Sequence, residues 1–270
     1  MGQASTADDR SIAIVVLTHN RVHLLHKCVE NVLLRTSAAT REIVIWDNAS
    51  TDGTAAYLES LDDPRIRVVS HSENIGQNAY AEAFKLASAP FLVELDDDVI
   101  DAPPNWDNVL LDAFVRLPDV GFLAADLEDN PHDVAARVRH HERKDAYRPF
   151  EANGVQLLDG PTGGGCAMTS RELYDLVGGF PQQKGKTFFL EDAAYIDRIA
   201  GPGYGAAVLR DLRVLHAGGP YYATPTPEKE IYWRRVETRR RRRSAAKRVL
   251  LALPFVRRLN ARFGWFRTPT

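Results

Sequence analysis

The sequence predicts an α/β fold in which a mainly parallel sheet is flanked by helices, and three observations carry that expectation. Short β-branched runs alternate with segments of helical period through the first hundred residues. The strand runs are continuously apolar, as strands covered on both faces are. The composition, 44% apolar and 26% charged over 270 residues, is that of a globular protein with a core large enough to exclude water from a site.

Ile12 to Leu17 (IAIVVL) reads as the first buried strand, and Val22, Leu25, Val29, Val32 and Leu33 then mark the apolar face of a helix. Glu42 to Trp46 (EIVIW), a helix over 54–61, Ile66 to Val69, a helix over 79–87 and Phe91 to Leu95 (FLVEL) complete a β-α-β-α-β-α-β series. Beyond Asp101 the pattern gives a helix over 106–116 and a strand over 120–125, while 128–158 is polar, rich in His and Arg, and predicts no element. Gly160 to Gly165 (GPTGGG) reads as a flexible segment before a helix over 171–177, which Gly178 and Gly179 terminate. A last helix starts near Glu191, and a strand over 212–215 ends at His216.

Charge divides the chain. Residues 225–270 hold 14 Lys and Arg against 3 Asp and Glu, so they carry +11, the rest carries −13, and the net charge is −2. An acidic body does not suit nucleic acid, whereas the basic segment suits an anionic surface. Arg239 to Arg243, followed by Val249, Leu250, Leu251, Leu253, Phe255, Val256, Leu259 and Phe263 among further arginines, has the composition of an interfacial amphipathic segment suited to an anionic membrane surface, with packing on the acidic body as a lid or oligomer contact, and nucleic-acid binding, as its alternative uses. Two cysteines, Cys28 and Cys166, are too few for a disulfide scaffold and fit a reducing compartment. No signal peptide and no spanning helix are expected, and so a cytoplasmic protein, with a peripheral place on the inner face of a membrane as one use of the basic segment. Its expected organisation is a disordered 1–10, one α/β domain over 11–224 and a basic extension over 225–270.

In an open α/β sheet, ligands bind beyond the carboxyl ends of the strands. Here those ends read Thr18-His19-Asn20-Arg21, Asp47 to Thr54 (DNASTDGT), Ser70-His71 and Asp96-Asp97-Asp98. Three adjacent carboxylates repel one another, and a hard divalent cation, Mn²⁺ or Mg²⁺, relieves that repulsion. A solvated acidic turn is the competing use of such a triplet. Asn48, Ser50 and Asp52 have a second use as turn and helix-cap residues. His19, His23 and His26 read as a solvated helix face in preference to a metal cluster, and Gly163 to Gly165 lack the lysine of a P-loop.

The sequence resembles the family 2 glycosyltransferases, inverting enzymes of the nucleotide-binding GT-A fold. The resemblance spans about residues 11–220 and rests on VVLTHNR, IVIWDNASTDGT, ENIGQNAYAEAF, ELDDDV, GGGCAMTSRELYDLVGGF, FFLEDAAYIDRI and LRVLHAGG in that order. It implies a metal-dependent transfer from a nucleoside diphosphate sugar, UDP being favoured over GDP or dTDP, to a glycan, lipid-linked or small-molecule acceptor in cell-surface glycan synthesis. Asp96 and Asp98 form the implied DxD frame, Asp98 as direct metal ligand, Asp96 on ribose or metal and Asp97 beside them. His216 matches the histidine that completes the metal shell. Asp192 is the implied general base, and Glu191 positions the acceptor. Gly164 and Gly165 shape the acceptor side. Thr18, Asn20, Arg21, Asp47, Asn48, Asn74, Gly76, Asn78, Asp96 and Asp97 are the expected nucleotide contacts, Asp47 accepting from a base N–H and Gly76 allowing close backbone approach. The pattern departs from the family at Pro181, where an acidic residue usually follows GGF. A sugar nucleotidyltransferase would carry a Gly-rich signature with Arg and Lys after the first strand, where this chain reads THNR. A non-catalytic nucleotide-sugar-binding protein is the other alternative, and intact DDD and ED groups speak against it.

Overall fold

Strands Ile12–Thr18 (β1), Thr40–Asn48 (β2), Ile66–His71 (β3) and Phe91–Asp96 (β4) lie parallel in the order β3-β2-β1-β4. A computed structural model describes residues 9–129, 147–182 and 191–217, all within one unit spanning residues 1–220. The expected disorder of the first residues lies outside the described residues up to position 8. The basic segment 225–270, with its expected membrane role, lies outside them entirely.

Alternation along β1 explains its unbroken apolar run. Ile12, Ile14 and Val16 pack with Leu25, Cys28, Val29 and Val32 of helix Val22–Arg35 (α1), which shares its core with the small helix Thr54–Glu59 (α2). Ala13 and Val15 face the opposite way, toward Ala79, Tyr80, Ala83 and Phe84 of helix Asn78–Phe84 (α3). Both faces are therefore dry, and a polar residue on either would need a partner. Cys28 and Cys166 are both buried free thiols.

After β4 the chain makes a short strand, Val99–Asp101 (β5), a helix, Trp106–Val115 (α4), and a strand, Val120–Asp129 (β6). Strands Arg148–Ala152 (β7) and Val155–Asp159 (β8) follow, then Cys166–Ser170 (β9), helices Arg171–Leu176 (α5) and Glu191–Ile199 (α6), and Gly205–His216 (β10). The full sheet order is β3-β2-β1-β4-β9-β6-β10-β8-β7, with β5 paired to β10. Its second half is mixed, because β9 runs antiparallel to both β4 and β6 while β10 is parallel to β6.

Strands β5, β7, β8 and β9 fall where the sequence predicts none, and β10 is longer than expected. β9, a strand in the middle of the sheet, lies between the run read as flexible, Gly160 to Gly165, and the helix that starts at Arg171. Within 128–158, Asn153-Gly154 at φ +50° and +72° turns β7 back onto β8, the positive φ at both positions that a tight hairpin demands. Strand β10 is twelve residues long, not the four of 212–215, because its pairing with β6 jumps from Leu209 to Arg213 and puts exposed Arg210 and Asp211 on a bulge.

Candidate active site and metal centre

Register brings the strand ends level. Thr18 lies opposite Asp47, and Leu17 lies opposite Trp46 on one side and Asp96 on the other. β2 and β3 lie on one side of β1 and β4 on the other, so the strand order reverses there, the place where such sheets open a crevice.

Asp96 ends β4, and the chain turns through Asp97 and Asp98 directly into β5. Antiparallel pairing of β5 with the end of β10 sets His216 opposite Val99, and the Ala217 N–H donates to the Asp98 carbonyl at 2.7 Å. A residue 118 positions along the chain is thereby fixed beside the triplet by backbone geometry. Nε2 of His216 lies 3.0 Å from Asp98 Oδ1 and 3.5 Å from Asp96 Oδ2. One donor atom from each of Asp96, Asp98 and His216 falls within 4.8 Å of the others, and no further such group occurs among the described residues. Two carboxylates and an imidazole converging on one point suit a divalent ion such as Mn²⁺. Burial would push the Asp98 carboxyl up, but the hydrogen bond and charge of His216, then the charge of Arg21, outweigh it and hold it below its usual range. Tyr80 on α3 donates to Asp96 Oδ1 at 3.2 Å and steadies that side chain.

Asp97 points elsewhere. It is fully buried and ion-paired with Arg21, whose Nη2 meets Oδ1 and whose Nε lies 3.3 Å from Oδ2. Arg21 also donates through Nη1 to Asp98 Oδ2 at 3.0 Å. Of the expected nucleotide contacts, Arg21 and Asp97 are thus turned toward each other. Burial pushes Asp97 up to about 7 even with the Arg21 charge opposing it.

The glycine run joins the metal cluster to the ED pair. The Gly165 carbonyl accepts from the Asp96 N–H at 3.0 Å, and the Gly164 N–H donates to Asp192 Oδ2 at 3.1 Å. Close approach, not positive φ, requires glycine here. A Cβ on Gly165 would stand 2.9 Å from Leu127 Cδ1 and 3.3 Å from Asp96 Oδ2, and one on Gly164 would overlap the Glu94 carboxyl. Asp192 opens α6 beside Glu191, and the Ala193 N–H holds its Oδ1 at 2.6 Å. Burial pushes Asp192 above the usual carboxylate range against those two backbone donors. Glu191 is pushed well up by burial and then by the Asp192 charge.

Glu94 was not legible as a site residue. It lies on β4, buried, with neither carboxyl oxygen paired, and burial followed by the charges of Glu191, Asp192 and Asp96 pushes it well up. The signal that marks it is a charged residue inside the apolar run FLVEL, two positions before Asp96.

At the nucleotide edge, the asparagines bind the loops to one another. Asn48 donates to Asn74 Oδ1 and the Gly76 carbonyl and accepts from the Ile75 N–H, so its amide is spent inside the protein, not on an open edge. Asn74 also accepts from the Gly76 N–H, Gly76 takes φ +63°, and Asn78 then opens α3. Asn20, at φ +53°, accepts from the Thr51 N–H at 2.6 Å. Asp47 accepts from the Ser50 N–H at 2.9 Å, and Thr18 is buried opposite it. The histidines of α1 do not assemble as metal ligands; His26 stacks on Tyr57 with ring centroids 4.6 Å apart.

Asp52 serves two helices at once. Oδ2 accepts from the Val22 N–H at 3.1 Å, and Oδ1 accepts from the N–H and hydroxyl of Thr54 at 3.0 and 2.5 Å. Those bonds hold its carboxyl below the usual range against partial burial. Asp52→Ala is expected to lower stability by about 1–2 kcal/mol, the cost of a lost helix cap, which urea unfolding of the full chain measures. An unchanged midpoint would show that solvent replaces the carboxylate at both helix starts.

A family model described as Glycosyl transferase family 2 matches residues 13–178. No curated protein matches the chain. Among solved structures, a mannosyltransferase, PcManGT from Pyrobaculum calidifontis in complex with GDP-Man and Mn²⁺, is similar at 25% identity and a TM-score of 0.53 over 82% of this chain and 59% of that one. TarS 1-349 from S. aureus in complex with UDP-GlcNAc is 16% identical with a TM-score of 0.56, over 80% of this chain and 61% of that one. GalNAc-T7 with UDP, GalNAc and Mn²⁺ is 17% identical with a TM-score of 0.53, over 77% of this chain and 44% of that one. The chain therefore spans less than two thirds of the length of these structures.

Proposed function

The chain belongs to glycosyl transferase family 2, and we propose on that premise that it transfers a sugar from a nucleoside diphosphate to an acceptor hydroxyl with inversion at the anomeric carbon. The observation that carries the reading is the glycine run holding a metal-ligand set at one end and a buried carboxylate at the other. Asp96, Asp98 and His216 would hold the ion. When bound, a divalent ion there supplies Lewis-acid stabilisation of the leaving diphosphate.

Inversion needs a base on the face of the sugar opposite the leaving group. Asp192 has the chemistry for it. Its raised proton affinity makes it a better acceptor than an exposed aspartate, and the backbone donors of Gly164 and Ala193 fix its orientation while lone pairs remain for the acceptor hydroxyl. The proton of that hydroxyl passes to Asp192 as the glycosidic bond forms, and no covalent enzyme intermediate arises. Glu191 and Gly164 border the same place and are assigned to the acceptor. Complexes of the similar structures with GDP-Man and with UDP-GlcNAc support a nucleoside diphosphate sugar as donor.

Thermal melts of the full chain with UDP, GDP and dTDP, each with and without Mn²⁺, test this reading. One nucleotide at about a hundredfold its Kd is expected to raise the Tm by roughly 5–10 °C with Mn²⁺ and far less without it. No stabilisation by any of the three in the presence of Mn²⁺ would reject the donor assignment.

A further inference from the structure

We infer that Arg21 is a built-in counter-cation that sets the affinity of the aspartate cluster for its divalent ion, so that ion and nucleoside diphosphate bind as a mutually reinforcing pair. The inference rests on the metal site read above and concerns residues that the family resemblance placed at the nucleotide.

Three aspartates crowd a turn where Asp97 and Asp98 are fully buried, and Arg21, itself 8% exposed, lies against both of those carboxylates. Both oxygens of Asp97 face Arg21, which withdraws that carboxylate from any ion. Asp98 is divided: Oδ2 takes the guanidinium, and Oδ1 faces His216 and the metal position. An ion arriving alone meets a carboxylate already half neutralised and a fixed positive charge a few ångströms behind it. Such repulsion fades slowly in a dry site.

Asp97 is the anchor in this arrangement. It draws the guanidinium off Asp98, and without it Arg21 would have Asp98 as its one remaining carboxylate in the triplet. A diphosphate changes the balance, because its negative charge is attractive to the ion and to Arg21 together. The ion then raises the affinity for diphosphate and the diphosphate raises that for the ion by the same factor.

Removing the two members of the pair should therefore shift metal affinity in opposite directions, which a merely structural ion pair would not do. The full chain and its variants D97N, R21Q and R21Q/D97N are titrated with Mn²⁺, free ion being read by electron paramagnetic resonance, alone and then with UDP or GDP. D97N is expected to weaken binding of Mn²⁺ alone by about tenfold, within the usual range of coupling between sites. R21Q/D97N, which replaces the pair by neutral side chains of similar shape, is expected to bind Mn²⁺ at least as tightly as the unsubstituted chain and to lose most of the gain from nucleotide. R21Q leaves a buried carboxylate unpaired and can fail to fold, so the decision is read from D97N against the double variant. Equal Mn²⁺ affinity of those two, or tighter binding by D97N, overturns the role of Arg21 while leaving the metal site standing. Failure of the unsubstituted chain to take up Mn²⁺ even with nucleotide overturns both.

Discussion

Asp98→Ala is expected to abolish the Mn²⁺-dependent stabilisation by nucleoside diphosphate and to leave the fold in place. Asp98 is the one carboxylate of the triplet that is fully buried and also faces His216, so its loss removes one donor from the set proposed to hold the ion. Deleting one member of a buried ion pair usually costs about 3–5 kcal/mol, because the partner charge is left alone. Here Arg21 keeps both of its bonds to Asp97, and the excess of negative charge in the turn falls by one. The stability of the metal-free protein should therefore change by only about 1–2 kcal/mol, within the ordinary range of single substitutions. Melts with and without Mn²⁺ and nucleotide separate the two effects. Nucleotide affinity in the presence of Mn²⁺ equal to that of the unsubstituted chain would remove Asp98, and the DxD frame with it, from the site.

What could be read from the chain alone was what local chemistry writes into it. The first four strands and three helices followed from apolar runs and helical spacing, and the turn after β4 was legible because three carboxylates together have few uses. The rest depended on pairing between distant strands. Cys166 to Ser170 is five residues of small and sulfur-bearing side chains behind a glycine run; only its place between β4 and β6 makes it a strand. His216 could be placed after a strand, but nothing local says that β5 folds back to set it opposite Val99. Arg21 and Asn48 read as ligand contacts because polar residues at strand ends often are. The structure turns the first onto Asp97 and the second onto Asn74 and Gly76, since buried polar groups must be satisfied before they can serve a ligand. Glu94 escaped notice because one acid in an apolar run resembles a surface position until burial on both faces is known.

Asp192→Asn is expected to leave donor binding intact and to lower transfer by roughly 10² to 10⁴, the usual contribution of a general base. Asparagine has nearly the same shape, and its Oδ1 can still accept from the Gly164 N–H, so the glycine run and α6 should stay where they are. What it loses is the ability to take a proton. Binding and chemistry should thus separate: the Mn²⁺-dependent Tm shift with nucleotide persists while kcat falls. Because burial raises Asp192 above the usual aspartate value of about 3.9, transfer by the unsubstituted chain should rise with pH along a limb displaced upward from that value. The asparagine variant should lack that limb. Glu191, pushed well up by burial and then by the Asp192 charge, is the neighbouring carboxylate to which the role would pass. Near-normal turnover of the asparagine variant at saturating acceptor, with the pH limb retained, would move the base to Glu191 and leave Asp192 as the residue that ties Gly164 to the start of α6.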